Sequence, residues 1–285
     1  MRWQGRRQSS NVEDRRGSGG SAPRKLFGGG MGTIVILLIV WMLGGNPLDF
    51  LNLTDLGSAP SASSNYQPSA EEDQLAQFVS VVLADAEDVW ENLFRQSGSN
   101  YRKPTMVLYS GMVQSACGMN SSATGPFYCP GDEKIYIDLS FYQELQQKFK
   151  APGDFAMAYV IAHEVGHHVQ NLLGTSQQVM SLRNRLSEAE FNKYLVRLEL
   201  QADFYAGVWA NHAQKMKNIL EEGDIEEAIN AASAVGDDRI QKQMQGYVVP
   251  DAFTHGTSEQ RMRWFLKGFK SGDVNQGNTF EASSL

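Results

Sequence analysis

Apolar positions along the chain follow two kinds of spacing, which predict a mostly helical domain with a few strands. Between residues 71 and 95, apolar side chains recur every three or four positions, from Leu75 and Phe78 to Val89 and Leu93. This spacing predicts an amphipathic helix. The runs at 105–110 (TMVLYS) and 134–140 (KIYIDLS) are rich in β-branched and aromatic residues and predict two short strands.

The second half of the chain predicts helices only. A largely apolar helix runs from Asp154 to Leu173 and stops at Gly174. Three further helices are predicted to start at polar pairs typical of helix N-termini: Ser187 with Glu190, Asp224 with Glu227, and Thr257 with Gln260. Strands followed by a series of helices, without an internal repeat, predict an α+β domain.

The N-terminal quarter has a different composition. Residues 1–25 are polar and Gly-rich and predict a disordered leader, and 46–70 have linker composition, so the folded domain is expected over 71–285. Between them, 26–43 (LFGGGMGTIVILLIVWML) carry no charge, which predicts a membrane anchor over 26–45. A cleaved signal peptide is the alternative, although the leader is long for one and no A-x-A site follows directly.

Charge is unevenly distributed between the leader and the rest of the chain. Residues 1–30 hold seven basic and two acidic residues, whereas the remainder holds 18 basic and 30 acidic ones. By the positive-inside rule the leader stays in the cytoplasm, which predicts a single-pass protein of a bacterial inner membrane with its domain in the periplasm. The acidic domain argues against a nucleic-acid partner.

Two cysteines, Cys117 and Cys129, lie in a loop rich in Gly, Ser and Pro. An oxidising compartment favours a disulfide between them, and two buried free thiols are the alternative. Metal binding by this pair is disfavoured because the spacing is not C-x-x-C and no His is near.

The chemistry is carried by His163-Glu164-Val165-Gly166-His167, an H-E-x-x-H within the predicted 154–173 helix. Residues four apart lie about 40° beyond one full turn, so both imidazoles share one helix face and can bind one metal ion. Glu164 is turned about 100° from His163, where it can take a proton from a metal-bound water.

A catalytic zinc usually has three protein ligands and one open position. A metzincin would need Gly and a ligand where this chain has Gln170 and Leu173, so that class is excluded. Glu199 is the predicted third ligand, and Asp203, one helical turn further, is predicted to accept a hydrogen bond from a zinc-binding His. Two rival carboxylates are explained by capping at a helix start: Glu188 and Glu190.

Two other histidines have open roles. His168 follows a ligand but points away from it, which favours packing or support over metal binding. His255 precedes Gly256 and a helix start, where it could stabilise an oxyanion at the scissile carbonyl or cap the helix.

These blocks resemble the bacterial neutral zinc metallopeptidases, which are single-pass membrane proteins. The resemblance is carried by five blocks: MRWQGRR with NVEDRRG, GPFYCPGDEKIYIDLSFY, HEVGHHVQNLLG, RLELQADFYAG and FTHGTSEQRMRWFLKGF. It implies a zincin-like fold, zinc and peptidase activity. The chain also looks like gluzincin peptidases, which supports Glu199 as a ligand and implies that His255 and Arg261 are active-site groups. Members often carry Cys where this chain has Phe204 and Gly277, which implies a second disulfide lost as a unit.

The sequence therefore predicts a membrane-anchored zinc metallopeptidase that acts on a peptide or protein substrate. Zinc lowers the pKa of its water, and Glu164 is the general base. A zinc-dependent amidase or deacylase of cell-envelope material is the alternative enzyme. A membrane-tethered, non-enzymatic factor with a closed structural zinc site is the alternative outside catalysis.

Overall fold

The computed structural model describes residues 1–17 and 66–285, and Met1–Arg16 form one compact unit with Pro68–Leu285. The predicted anchor at 26–45 lies outside the described residues. Within the described ranges, no helix combines the length and apolar character needed to cross a bilayer.

Most of the domain is helical, as predicted for the α+β class. Eight α-helices are described: α1 (Ala70–Gln96), α2 (Phe141–Gln147), α3 (Asp154–Leu172), α4 (Thr175–Met180), α5 (Glu188–Lys217), α6 (Asp224–Ala234), α7 (Asp237–Gln245) and α8 (Ser258–Ser271). The capping boxes predicted at Ser187 and Thr257 are both formed, with Glu190 and Gln260 as partners. Their side chains satisfy backbone N–H groups that a helix leaves unpaired at its start.

Six short strands make two sheets on one side of the helices. They are β1 (Val12–Asp14), β2 (Thr105–Tyr109), β3 (Met112–Ser115), β4 (Gly118–Ser121), β5 (Phe127–Cys129) and β6 (Lys134–Asp138). The larger sheet has the order β1-β2-β6-β5, in which only β5 runs antiparallel to its neighbour. Strands β3 and β4 form a separate antiparallel pair. Only β2 and β6 were predicted, because the Gly-rich composition between them reads as a loop.

The first residues of the chain belong to this fold, so the predicted disordered leader is wrong for residues 1–16. Strand β1 pairs in parallel with β2, in the register Val12 with Met106 and Asp14 with Leu108. The side chain of Met1 is buried in the main core. Arginines made the segment look like a free leader, although several of them bind carboxylates of the domain.

Helices α3, α5 and α8 form the centre of the core, with α6 packed against α3 and α8. The contact of α5 with α8 is very close, since a Cβ added at Gly268 would lie 2.0 Å from the carbonyl oxygen of Phe204. Phe204 also contacts Gly277: an added Cβ there would lie 2.6 Å from the ring. The two positions that the resemblance linked as a lost disulfide are therefore neighbours.

The cysteine prediction is confirmed. Cys117 and Cys129 form a disulfide with a Cα–Cα distance of 5.8 Å. The bond connects the turn between β3 and β4 to the end of β5, the strand that borders the cleft described below.

Candidate active site

The H-E-x-x-H motif lies in the middle of α3, against the middle of α5. Close approach of the two helices requires Gly166, because a Cβ at that position would lie 2.9 Å from the carbonyl oxygen of Ala202. At this crossing, the α3 histidines face Glu199 on α5. The glycine inside the motif thus allows the third predicted ligand to come within reach of the first two.

Three ligand atoms meet at this crossing. The Nε2 atoms of His163 and His167 are 3.1 Å apart. Glu199 places Oε2 3.1 Å from Nε2 of His163 and Oε1 3.5 Å from Nε2 of His167. Tetrahedral zinc with bonds of about 2.0 to 2.1 Å would separate its ligand atoms by about 3.4 Å. The group of His163, His167 and Glu199 therefore has the spacing of a zinc site.

The outer nitrogen of His163 is held by a charged network. Its Nδ1 donates to Oδ1 of Asp203 at 2.8 Å. Asp203 is fully buried and also accepts from the Tyr159 hydroxyl at 2.5 Å and from Arg261 Nε and Nη2 at 2.8 and 3.0 Å. Asp203, Arg261 and Tyr159 therefore form one network on the side of His163 opposite its Nε2 atom.

The outer nitrogen of His167 is held by a neutral amide. Gln170 donates through Nε2 to the carbonyl oxygen of Leu198 at 2.7 Å, which turns its Oε1 toward His167 Nδ1 at 2.9 Å. Both histidines then carry their proton on Nδ1. With Nδ1 held in this way, Nε2 of each histidine and the Glu199 carboxylate converge on one point. A cation satisfies such a cluster, either a shared proton in the metal-free site or a metal ion.

Electrostatics of the metal-free site also favour positive charge. Burial lowers the pKa of His163, but the Asp203 and Glu199 carboxylates outweigh it and raise that pKa to about 10. Burial alone would raise the pKa of Asp203, yet Arg261 and His163 lower it to about 2. Burial alone would raise the pKa of Glu199, but His167, His255 and His163 together hold it well below its usual range.

Glu164 lies beside these ligands but is separate from them. Its carboxyl group is buried, and burial raises its pKa despite the nearby His167 and His163. A raised carboxyl pKa suits a group that must both accept and return a proton near neutral pH. The structure places Glu164 in the same cleft as His163, His167 and Glu199.

His255 borders the same cleft from the start of α8. Its side chain is 50% exposed, and its Nδ1 lies 3.2 Å from Oδ1 of Asp237. Asp237 also accepts the backbone N–H groups of Thr254, His255 and Gly256. The cap of α8 is formed by Thr257, so His255 does not cap that helix.

His168 and the rival glutamates lie outside the metal group. The His168 ring is fully buried, donates through Nε2 to the Arg102 carbonyl at 2.6 Å and contacts the Tyr128 hydroxyl at 3.0 Å. It packs between two aromatic rings rather than binding metal. Glu190 is engaged in its capping box.

The cleft around these groups has a volume of about 470 Å³. One wall is β5 with the residues before it, another is the start of α2 with the residues after that helix, and the others come from α3, α5, α7 and α8. Apart from the metal group, Glu164, His255 and Arg261, the cleft is mainly apolar, with aromatic side chains that include Phe127, Phe141 and Phe149.

The sequence did not reveal three side chains that hydrogen-bond to residues of the site: Tyr159, Gln170 and Asp237. Gln170 could have been found, because it lies three residues after His167 on the same helix face. Tyr159 lies four residues before His163 and could have been found in the same way. Asp237 could not, because nothing in the local sequence connects it to His255.

These observations define the class of protein: an α+β domain in which an H-E-x-x-H helix faces a glutamate and forms a three-residue group able to bind a metal ion. The chain matches the family described as "Putative neutral zinc metallopeptidase" over residues 1–280, and it belongs to that family.

Curated relatives match most or nearly all of the chain. "Uncharacterized protein YpfJ" of Escherichia coli (strain K12) is 50% identical over 287 residues, which cover 99% of this chain and 100% of the relative. "Uncharacterized protein Mb2605" of Mycobacterium bovis is 44% identical over 207 residues, 69% of this chain and 68% of the relative. No solved structure matches the chain significantly.

Proposed function

We propose that this protein is a zinc-dependent peptidase that hydrolyses peptide bonds in the cleft between α3, α5 and β5. The observation that carries the proposal is the three-residue group itself, which lines the cleft and would leave a bound zinc accessible to water and substrate. Catalytic zinc sites have this open arrangement, whereas structural sites have four protein ligands. Among the described residues, no fourth metal-binding side chain joins His163, His167 and Glu199.

Zinc held by these three residues would polarise the scissile carbonyl and make attack by water feasible near neutral pH. Glu164 takes the proton of the attacking water and later gives it to the leaving amine as the C–N bond breaks. His255 donates a hydrogen bond to the carbonyl oxygen as negative charge develops there. Asp203, Arg261 and Tyr159 keep His163 in the tautomer that leaves Nε2 free for the metal.

A peptide is favoured over cell-envelope amides by the position of β5. This strand is the last in the order β1-β2-β6-β5 and borders the cleft through Phe127 and Tyr128. An extended peptide can add to such a strand through main-chain hydrogen bonds. The apolar walls favour a substrate with large apolar side chains near the scissile bond.

The disulfide supports a location outside the cytoplasm, because bonds of this kind persist in oxidising compartments. We therefore propose that the catalytic domain acts in the periplasm, at the inner membrane.

The proposed function is tested by replacing Glu164 with Gln in the full chain and measuring zinc content and cleavage of a mixed fluorogenic peptide library. Zinc should stay near one ion per chain, while activity should fall by about 10² to 10⁴. Glu188→Gln is the matched control, because Glu188 is exposed on the same helix as Glu199. Full activity of Glu164→Gln would contradict the mechanism.

A further inference from the structure

Residues 1–16 are built into the domain by backbone pairing. Beyond the β1–β2 register, the Asn11 carbonyl accepts from Met106 N–H at 2.8 Å, and the Leu108 carbonyl accepts from Arg15 N–H at 2.8 Å. Ser9 N–H donates to the Ser80 carbonyl on α1 at 3.0 Å. These bonds attach the segment to both the sheet and a core helix.

Buried carboxylates of α1 bind side chains of the same segment. Asp85, whose side chain is 2% exposed, binds Arg6 at 2.8 Å as well as Lys217 at 2.9 Å. Glu87, whose side chain is 1% exposed, accepts from the Ser9 hydroxyl at 2.5 Å and from the Asn11 amide at 2.8 Å. A buried carboxylate without such partners is costly, so the fold of 68–285 uses residues 6–11 as part of its structure.

The basic residues of the segment therefore have a role inside the domain. Arg7 binds Asp88 at 2.6 Å, and Arg16 binds Asp14 at 2.6 Å. The positive-inside rule reads arginines near a membrane segment as a signal for cytoplasmic retention. Here the arginines are explained by ion pairs within the folded unit, and this removes the ground for placing residues 1–16 in the cytoplasm apart from the domain.

Paired strands lie about 4.8 Å apart, whereas the hydrocarbon core of a bilayer is about 30 Å thick. A single crossing between residues 17 and 66 would put β1 and β2 on opposite sides of that core. We propose that residues 1–16 and 68–285 lie on the same side of the membrane. The sequence predicted a single crossing, with the N-terminus in the cytoplasm and the domain in the periplasm. The present inference contradicts that topology, and it does not depend on peptidase activity.

The test introduces one additional cysteine at a time into the full chain, which is expressed in bacteria. Ser10 and Ser283 are both exposed, so Ser10→Cys and Ser283→Cys form a matched pair, one in the N-terminal segment and one near the C-terminus. The two native cysteines are joined in the disulfide, so wild type is the unlabelled control. An impermeant maleimide is added to spheroplasts before and after lysis.

The proposal predicts that both variants react in intact spheroplasts, or that both react only after lysis. Reaction of one variant before lysis and of the other only afterwards would overturn it. A second measurement checks that residues 1–16 are packed against 68–285 in the protein purified from membranes. Arg6→Ala should lower the melting temperature by at least about 2 °C relative to Gln8→Ala, whose position is exposed. Equal melting temperatures of the two variants would also overturn the proposal.

Discussion

Two histidines that line the same cleft are each paired with an aspartate, and the two pairs differ in their surroundings. His163 and Asp203 are 2.8 Å apart and buried, and Arg261 and Tyr159 complete the coordination of the carboxylate. His255 and Asp237 are 3.2 Å apart, and the His255 side chain is half exposed. A buried pair holds its geometry rigidly, whereas an exposed pair is screened by water and can move. The buried His163–Asp203 pair is therefore suited to binding a metal ion. The exposed His255–Asp237 pair is suited to contacting a substrate whose charge changes during the reaction.

Of the two pairs, the exposed one is expected to have the larger effect on catalysis. His255→Ala should lower kcat by about 10² to 10³, because one donor to the developing oxyanion is lost. Zinc content should not change, since His255 is not a ligand. A variant with normal kcat and only a lower melting temperature would return His255 to a structural role.

The buried pair should affect the metal instead. Asp203→Asn weakens the acceptor for His163 Nδ1 and leaves Arg261 buried with less compensation, so zinc affinity should fall about 10- to 100-fold. Competition with a chelator measures this change. The matched variant on the other ligand is Gln170→Leu, which removes a neutral acceptor and should weaken zinc less. A larger effect of Gln170→Leu would contradict the importance given to the charged network.

Metal binding should also be linked to pH through His163. Its pKa in the metal-free protein is raised to about 10, so at pH 7.5 it carries a proton that a zinc ligand cannot keep. Zinc binding should therefore release at least about one proton per chain, and affinity should rise as pH increases toward 10. Calorimetry in two buffers of different ionisation enthalpy measures the release. Binding without proton release would show that His163 is neutral before zinc arrives.

The same shift has a consequence for the stability of the metal-free protein. Because the folded pKa of His163 lies above its unfolded value of about 6.5, the stabilisation is complete below that pH and is lost as pH rises toward 10. Asp203→Asn should flatten this dependence. Thermal melts of the chelator-treated proteins between these pH values provide the comparison.

The smallest effect is expected for Asp237→Asn. The amide oxygen can still accept backbone N–H groups, and a half-exposed ion pair contributes roughly 0.2 to 1 kcal/mol, so kcat should fall by about fivefold at most. A loss as large as that of His255→Ala would mean that the Asp237 charge is essential to the donor.

The sequence was most informative where geometry depends on spacing within one helix. The positions of His163 and His167 follow from α-helical periodicity, and the shared face of Glu199 and Asp203 follows in the same way. Contacts between distant segments could not be obtained like this. Asp237 reaches His255 only because α7 packs beside the start of α8.

The N-terminal segment shows the opposite limit. The composition of this segment does not reveal whether its arginines are solvated or form ion pairs. A three-residue strand such as β1 is also too short for a clear alternating pattern. Only the tertiary structure distinguishes a free basic leader from a strand that binds the edge of the sheet.

The most direct test of the central claim is the zinc content of the purified protein and of Glu199→Ala, with Glu188→Ala as the control on the same helix. The three-ligand site predicts about one zinc per chain in wild type and in Glu188→Ala, and less than about a tenth of that in Glu199→Ala. Full zinc content in Glu199→Ala, or a metal-free wild type under zinc-replete conditions, would contradict it.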